Sequence, residues 1–416
     1  MRTLFWSSAL FIAYVYVGYG ALLMIWAHLC RLGRRDTRAS GQGLAAPLPA
    51  VSVILAVRNE AARLPARIGN LLELDYPPDR LQIIVASDGS TDGTRAVLAP
   101  IAPQVELIEL PPGGKAVALN AAAARARGEV LVFTDARQTF APDALRALVA
   151  PLADPHVAGV SGELILGAEQ SSGRRGAGER RSEPAGPPAD DRRRAERRAT
   201  SSIGDGVGAY WKYEKQLRRL ESEVGSMLGA TGAIWALRRS AWRPLPPGTI
   251  LDDVLAPMRT VLAGCRVIFQ PAAVAFDHTP RDAASETRRK VRTLAGNVQI
   301  LWFEPRLLVP IVNPVWLQYM SHKVGRLLVP YALLALFASS LVLAHTATLY
   351  AAALFGQVAF YLHGGYGAWL EHWHAAGSER RSLIQRTGSV AFTFVMMNVS
   401  AVAGAGAALL GRRVWR

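Results

Sequence analysis

Apolar residues fall into two kinds of run along the 416-residue chain. Long uncharged windows occupy the ends: residues 3–30, 327–370 and 387–411 contain no Asp, Glu, Lys or Arg. Short runs rich in Val and Ile occupy the middle: VSVILAV (51–57), LQIIVA (81–86), VELIEL (105–110) and EVLVFT (129–134). About 20 apolar residues carry a helix across a bilayer. The first and last windows therefore each predict one span, and the central window two, divided near Ala344-His345-Thr346. This gives an N-terminal transmembrane helix over 1–30 and about three C-terminal spans within 325–411. Between them, LLVPIVNPVWLQYM is apolar but interrupted by Pro310 and Pro314 and carries Trp316 and Tyr319. That pattern predicts an interfacial helix over 305–322.

The short runs read as strands, and helical patterns precede three of them or follow them closely: Glu60 to Leu72, Asp92 to Leu98, and Lys115 to Arg127. Strands alternating with helices predict an α/β domain over residues 45–300 with a mostly parallel sheet covered on both faces. Ligands of such sheets gather at the carboxyl ends of the strands. Arg58-Asn59-Glu60, Asp88 and Asp135 each follow a strand directly, which predicts that they share one rim. Residues 171–200 break the pattern, with nine Arg, five acids, three Pro and almost nothing apolar. Such a stretch cannot offset the entropy of ordering and predicts a disordered insert.

Composition then fixes orientation. Mean hydropathy is positive, +0.16, although 19% of the residues are charged, because the two characters are segregated along the chain. The first apolar window is too long for a secretory signal and lacks a small-residue cleavage site, which predicts an anchor. Arg31, Arg34, Arg35 and Arg38 follow it against Arg2 before it, which predicts a cytoplasmic central domain in a multi-pass protein of the inner (plasma) membrane. With four spans the loop holding Arg380, Arg381 and Arg386 lies inside, whereas Arg412, Arg413 and Arg416 lie outside, against the rule. Two cysteines, Cys30 and Cys265, give no disulfide framework and agree with a reducing compartment. The net charge of +15 suits anionic lipid, and no nucleic-acid-binding motif accompanies it.

Candidate chemistry lies after the strands. ASDGSTDGT (86–94) supplies Asp88, a strand-end carboxylate able to accept from a uracil imide, while Ser90, Thr91 and Asp92 can cap the next helix. Gly113-Gly114 place Lys115 at a helix start, a geometry suited to oxyanions, although the P-loop spacing is absent. FTDARQ (133–138) holds Asp135 and Arg137. GSMLGATGAIWALRRSAW (225–242) is a small-residue loop, with Thr231 and Gly232, running into a strand. Asp252 and Asp253 open a helix, where acids also compensate the helix dipole. Arg288, Arg289, Lys290 and Arg292 share one helical turn that could face lipid or hold a departing diphosphate.

The order of these pieces, from strand–RNE through ASDGSTDGT, GKAVALN, GEVLVFTDA, GATGAIWALRR and DD to R-R-K-V-R, strongly resembles the membrane-bound family 2 glycosyltransferases. The resemblance implies a GT-A fold, Rossmann-like and nucleotide-sugar-binding, with flanking membrane helices that serve a lipid-linked or membrane-emerging acceptor. It also implies a nucleotide-sugar donor, UDP-sugar above all. On it, Asp88 contacts the uracil, Asp135 lies by the donor diphosphate, and Asp253 is the general base with Asp252 as orienter or substitute. Arg58, Glu60, Lys115, Arg137, Arg289 and Arg292 complete the donor-binding set, and Thr231 and Gly232 the acceptor loop.

Two departures from the family pattern matter. The D-x-D motif reads Asp135-Ala136-Arg137, so a divalent cation (Mg²⁺ or Mn²⁺) has Asp135 as its single carboxylate, and Arg137 is a candidate to replace part of its charge. The Q-x-x-R-W motif of processive synthases is absent, which puts processive extrusion in question. The expectation is an inverting transfer in envelope or exopolysaccharide biosynthesis. Sugar transfer to polyprenyl phosphate is the alternative within that chemistry. A non-catalytic nucleotide-sugar sensor of a membrane export complex is the alternative outside it, and such a module has no use for a base at residue 253. Oligomerisation or pathway partners are compatible with all three.

Overall fold

The structure is a computed structural model that describes residues 1–33, 47–166, 205–277, 283–373 and 382–409. The expected insert at 171–200 and the basic residues Arg34, Arg35, Arg38, Arg380, Arg381, Arg412, Arg413 and Arg416 lie outside the described residues. In chain order the elements are α1 (Arg2–Gly33), β1 (Val51–Val57), α2 (Leu64–Leu72), β2 (Leu81–Asp88), α3 (Thr94–Leu98), β3 (Glu106–Leu110) and α4 (Lys115–Arg125). There follow β4 (Val130–Thr134), β5 (Thr139–Phe140), α5 (Ala144–Val149), β6 (Val157–Leu166), α6 (Asp205–Val224), β7 (Trp235–Arg238), α7 (Asp252–Leu262) and β8 (Arg266–Asp277). Last come α8 (Ala283–Phe303), α9 (Trp316–Leu343), α10 (Thr348–Trp373) and α11 (Leu383–Leu409).

These elements form two compact units. The α/β unit contains one eight-stranded sheet in the order β3-β2-β1-β4-β7-β6-β8-β5. The four apolar runs read from sequence are β1 to β4, and they pair in parallel, with β1 between β2 and β4. Because helices cover both faces, β1 is buried on both: Val51, Ser52, Val53, Ile54 and Leu55 are all below 2% exposed. The other half departs from the expected parallel pattern. β7 runs antiparallel to β4 and β6, and β5 antiparallel to β8, while β6 and β8 pair in parallel. The fold is thus GT-A-like, with a parallel half that presents strand ends on one rim and a mixed half that closes against it at β4.

Among the described residues the helical unit carries three helices long and apolar enough to cross a membrane: α1, α9 and the 26-residue stretch Leu383–Ala408 of α11. The fourth expected span, α10, is 26 residues long and is not among the three. The expected interfacial helix over 305–322 is divided. A single turn covers Pro305–Leu308, residues 309–315 are not helical, and residues from Trp316 onward belong to α9. Pro310 and Pro314 account for this, since each lacks a donor and biases the preceding residue away from helix. Ile311 in this segment is 95% exposed.

Within the helical unit, Tyr19, Leu23 and Ala27 of α1 pack on Leu217 and Leu220 of α6. A buried ionic group joins the same helices. Glu221, 1% exposed, accepts from Tyr19 Oη at 2.7 Å and lies 2.6 Å from His322 Nδ1. His322 Nε2 lies 3.4 Å from Glu214, which also pairs with Arg326.

Candidate active site

The rim at the carboxyl ends of β1, β2 and β3 is built from three loops that fasten one another. In the first, Asn59 has φ 56°, a left-handed conformation that Asn tolerates better than most residues. From there its Oδ1 accepts from Thr91 N at 2.8 Å, and its own N–H donates to Ser90 Oγ at 3.1 Å. Asp92 accepts from Thr94 Oγ1, from Ala61 N at 2.9 Å and from Thr94 N at 3.1 Å, bonds that hold its carboxyl below the usual range. The caps read from ASDGSTDGT therefore also tie it to the loop after β1. Arg58 is exposed, and Glu60 pairs at 2.5 Å with Arg63, so the bonds joining the two loops run through the middle residue of the RNE triplet.

Asp88, 6% exposed, fastens the third loop: its Oδ1 accepts from Gly113 N at 2.6 Å and Gly114 N at 2.9 Å. This crossing needs glycine at residue 89, where φ is 62° and a Cβ would stand 2.5 Å from Pro112 Cγ. Asp88 thus fixes the glycine turn that starts α4 and sets where Lys115 begins.

Lys115 is the centre of the site. Its Nζ lies 3.2 Å from Asp135 Oδ1 and 3.1 Å from Asp252 Oδ1, joining the end of β4 to the start of α7. Burial pulls the lysine pKa down, but the charges of Asp135, Asp252 and Asp253 outweigh it and hold the ammonium protonated well above the ordinary lysine range. Asp252 is 4% exposed, and its Oδ2 is buried without a hydrogen-bond partner among the described residues. Asp253, in the same first turn, is partly exposed, and its main-chain oxygen accepts from Ala230 N at 2.6 Å. A Cβ on Gly232 would come within 3.0 Å of Asp253 Oδ2, so glycine there leaves room at that carboxylate. Thr231, 9% exposed, is pinned by its N–H to Ser161 Oγ at 2.9 Å. The two acids read as a pair therefore differ: Asp252 is committed to Lys115, and Asp253 faces the small-residue loop.

Arg137 is placed otherwise than the sequence suggested. Its Nε donates to Asp277 Oδ2 at 3.0 Å, and Gln138 Nε2 donates to the same oxygen at 2.9 Å. Asp277, at the end of β8, is 7% exposed, so a buried carboxylate already answers the arginine's charge. Arg137 is thus tied to a buried carboxylate while its side chain stays about half exposed. Among the described residues no group of three or more His, Cys, Asp or Glu is arranged to hold a metal ion. Asp135, partly exposed, is the carboxylate that fits a cation sharing its remaining positions with phosphate oxygens. Arg289 and Arg292 belong to the helical unit, on α8, Arg292 exposed and Arg289 partly so.

Sequence reasoning placed Asn59 on the rim without a role and missed Asp277 and Arg67. Arg67 carried a signal: Leu64, Arg67, Ile68 and Leu71 have the i, i+3, i+4, i+7 spacing of a buried stripe, and all four are buried.

A parallel half-sheet with acids at its strand ends, continued by a mixed half, defines a GT-A type nucleotide-sugar fold. Residues 52–242 match the Glycosyl transferase family 2 domain. An N-acetylglucosaminyltransferase of Rhizobium leguminosarum bv. trifolii is 30% identical over 131 residues, covering 30% of this chain and 72% of that protein. The chain belongs to glycosyl transferase family 2. A beta-monoglucosyldiacylglycerol synthase of Synechocystis sp. is 33% identical over 122 residues, 28% of this chain and 26% of that protein. The chain spans about a quarter of the length of the first curated relatives it matches. In structure, the mannosyltransferase PcManGT from Pyrobaculum calidifontis, in complex with GDP-Man and Mn²⁺, aligns with a TM-score of 0.67 at 23% identity. That alignment covers 98% of this chain and 99% of that one, and it establishes a shared fold.

Proposed function

We propose that the protein is a membrane-anchored, inverting glycosyltransferase that moves a sugar from a nucleotide-diphosphosugar, a UDP-sugar first, to a lipid-linked or glycan acceptor. The observation that carries the reading is Lys115, which gathers Asp135 and Asp252 and so brings the phosphate-binding rim next to Asp253. In this reading Asp253 removes the proton from the acceptor hydroxyl as its oxygen attacks the anomeric carbon. The bond between that carbon and the diphosphate oxygen breaks, and the nucleoside diphosphate leaves with the electron pair. Asp252 holds Lys115, whose ammonium faces the developing phosphate charge. The Asp88 oxygen not used by the glycine turn is the acceptor for a uracil N–H.

Charge balance bears on the metal. Asp88, Asp135, Asp252 and Asp253 meet an anionic diphosphate, and Lys115 pairs with two of them. A divalent ion bound at Asp135 would supply the missing positive charge to the diphosphate. The Mn²⁺ named with the structural relative agrees with that. The apolar helices suit a lipid or membrane-emerging acceptor, and two relatives carry names of that kind, a glucosyldiacylglycerol synthase and an N-acetylglucosaminyltransferase. The basic bank after α1 supports a cytoplasmic active site in the inner membrane.

The test is purified full-length protein in lipid nanodiscs, given a panel of nucleotide sugars, with nucleotide release followed with and without EDTA. Asp253→Asn is expected to lose about 10³-fold in turnover while still binding nucleotide. Unchanged turnover in that variant removes Asp253 as the base, and no release with any donor removes the transfer reading.

A further inference from the structure

The largest buried cation of the α/β unit has no part in the mechanism above. Arg67, on α2, is 1% exposed. Its Nη2 donates to Thr134 Oγ1 at 2.9 Å, its Nη1 donates to Asn70 Oδ1 at 2.5 Å, and its guanidinium carbon lies 4.2 Å from the Phe140 ring centroid. Its Nε is buried without a hydrogen-bond partner among the described residues. Desolvation pushes the group down to about 9, and the charge of Asp135 acts against that.

Such a group is expensive for a fold to keep, because a buried charge without a matched partner is commonly replaced by an apolar isostere at no loss of stability. Nor would its removal strand its partners. Thr134 Oγ1 also donates to Ala233 O at 2.8 Å, and Asn70 Oδ1 also accepts from Phe140 N at 2.8 Å. What Arg67 does provide is a bridge. Through Thr134 it links α2 to the residue before Asp135, and through the Thr134 hydroxyl to the loop that holds Thr231 and Gly232 against Asp253.

We infer that Arg67 is a positioning residue of the donor site: its buried guanidinium ties α2 to Thr134, orienting the hydroxyl that reaches Ala233 O in the 231–234 loop, and sets a positive charge on the interior side of Asp135. The class of ligand served is a nucleoside diphosphate, so this inference rests on the proposed donor site. The charge adds to Lys115 in offsetting the acids that the diphosphate meets, and the clamp holds Asp135 and the Asp253 loop in register.

The experiment compares Arg67→Met, Arg67→Lys and Thr134→Val with the wild-type full-length chain in nanodiscs. It reads thermal midpoint, hydrogen exchange of residues 134–138 and 231–235, and binding of UDP and GDP with Mg²⁺. Arg67→Met is expected to keep or raise the midpoint, to speed exchange in both segments, and to weaken nucleotide binding about tenfold or more. Thr134→Val should reproduce the faster exchange with a smaller loss of binding, because the charge stays. Arg67→Lys should keep more nucleotide affinity than Arg67→Met but not the protection. Wild-type exchange and binding in Arg67→Met would overturn the proposal, and so would a fall in midpoint with exchange rising throughout the sheet. If the wild-type chain bound neither nucleotide, the donor-site reading would fail, and local exchange would still decide the clamp.

Discussion

The protein buries charge in two places, and they are put together differently. In the helical unit Glu214 and Glu221 meet Arg326 and His322, and Tyr19 donates to Glu221, so the group ties α1, α6 and α9 together, with Nε and Nη2 of Arg326 buried without a partner among the described residues. In the α/β unit Lys115 is shared by Asp135 and Asp252, Asp253 lies beside them, one oxygen of Asp252 is unpartnered among the described residues, and Arg67 has a free Nε. The first group joins helices of one unit and serves to hold them together. The second stands at the strand-end rim, where the proposed donor would meet it. The same residue types therefore signal stability in one unit and chemistry in the other.

That contrast is sharpest where changes should separate activity from stability. The largest effect is expected for Lys115→Met, a loss of about 10³-fold in turnover per folded molecule, or about 4 kcal/mol of barrier, over and above the stability lost when buried Asp252 is left without its cation. The raised pKa of Lys115 means that its pairs persist fully below the ordinary lysine pKa of about 10.4 and fail only as pH rises through the higher folded value. A pH titration of the wild-type midpoint should therefore show no loss from this group through the neutral range. The opposite pattern is expected for His322→Asn, which leaves Glu221 with Tyr19 alone: about 3 kcal/mol of stability lost, measured by unfolding in detergent, and wild-type turnover per folded molecule. Lost turnover at unchanged stability in that variant would break the comparison.

Asp277→Asn and Arg137→Ala should each cost about tenfold in donor KM with little change in kcat, because they disturb the edge of the site. If EDTA leaves turnover intact in the wild type but not in Arg137→Ala, the arginine does the cation's work and the charge argument above is wrong. Smallest of all, Arg31→Ala removes an exposed pair with Glu223 and should shift stability by less than about 1 kcal/mol.

The parallel half of the sheet was legible because each strand is a short apolar run bounded by helix or turn residues, and β1 begins and ends where the sequence suggested. Of the mixed half only β7 was legible, as the strand after the small-residue loop. β6 includes Gly159 and Gly162, and β8 includes Pro271 with a register shift between its two stretches of pairing to β6, so neither shows a clean run. Asp277 was hidden for the same reason: a strand-end acid cannot be noticed until its strand is. The individual acids of the site were readable from their positions after strands or at a helix start, but their division of labour was not. Nothing in the adjacent letters of Asp252-Asp253 tells which one turns inward to Lys115. Arg137 shows the limit most plainly, since its partner lies 140 residues away (277 − 137) in the sequence and answers the charge it was expected to offer the donor.

The path of the chain has a practical consequence for dissecting the molecule. The α/β unit is not one continuous stretch: between β6 and β7 the backbone leaves it to form α6, a helix that belongs with the anchors and rests on Tyr19 and Leu23. Cutting away the first and last helices to obtain a soluble catalytic piece would strip α6 of its partners while leaving it tethered on both sides to the sheet. A fragment without the helical unit calls for a short polar turn in place of α6 that rejoins the chain at Ser226, ahead of Thr231 and Gly232, and the length of that turn becomes the first variable to optimise.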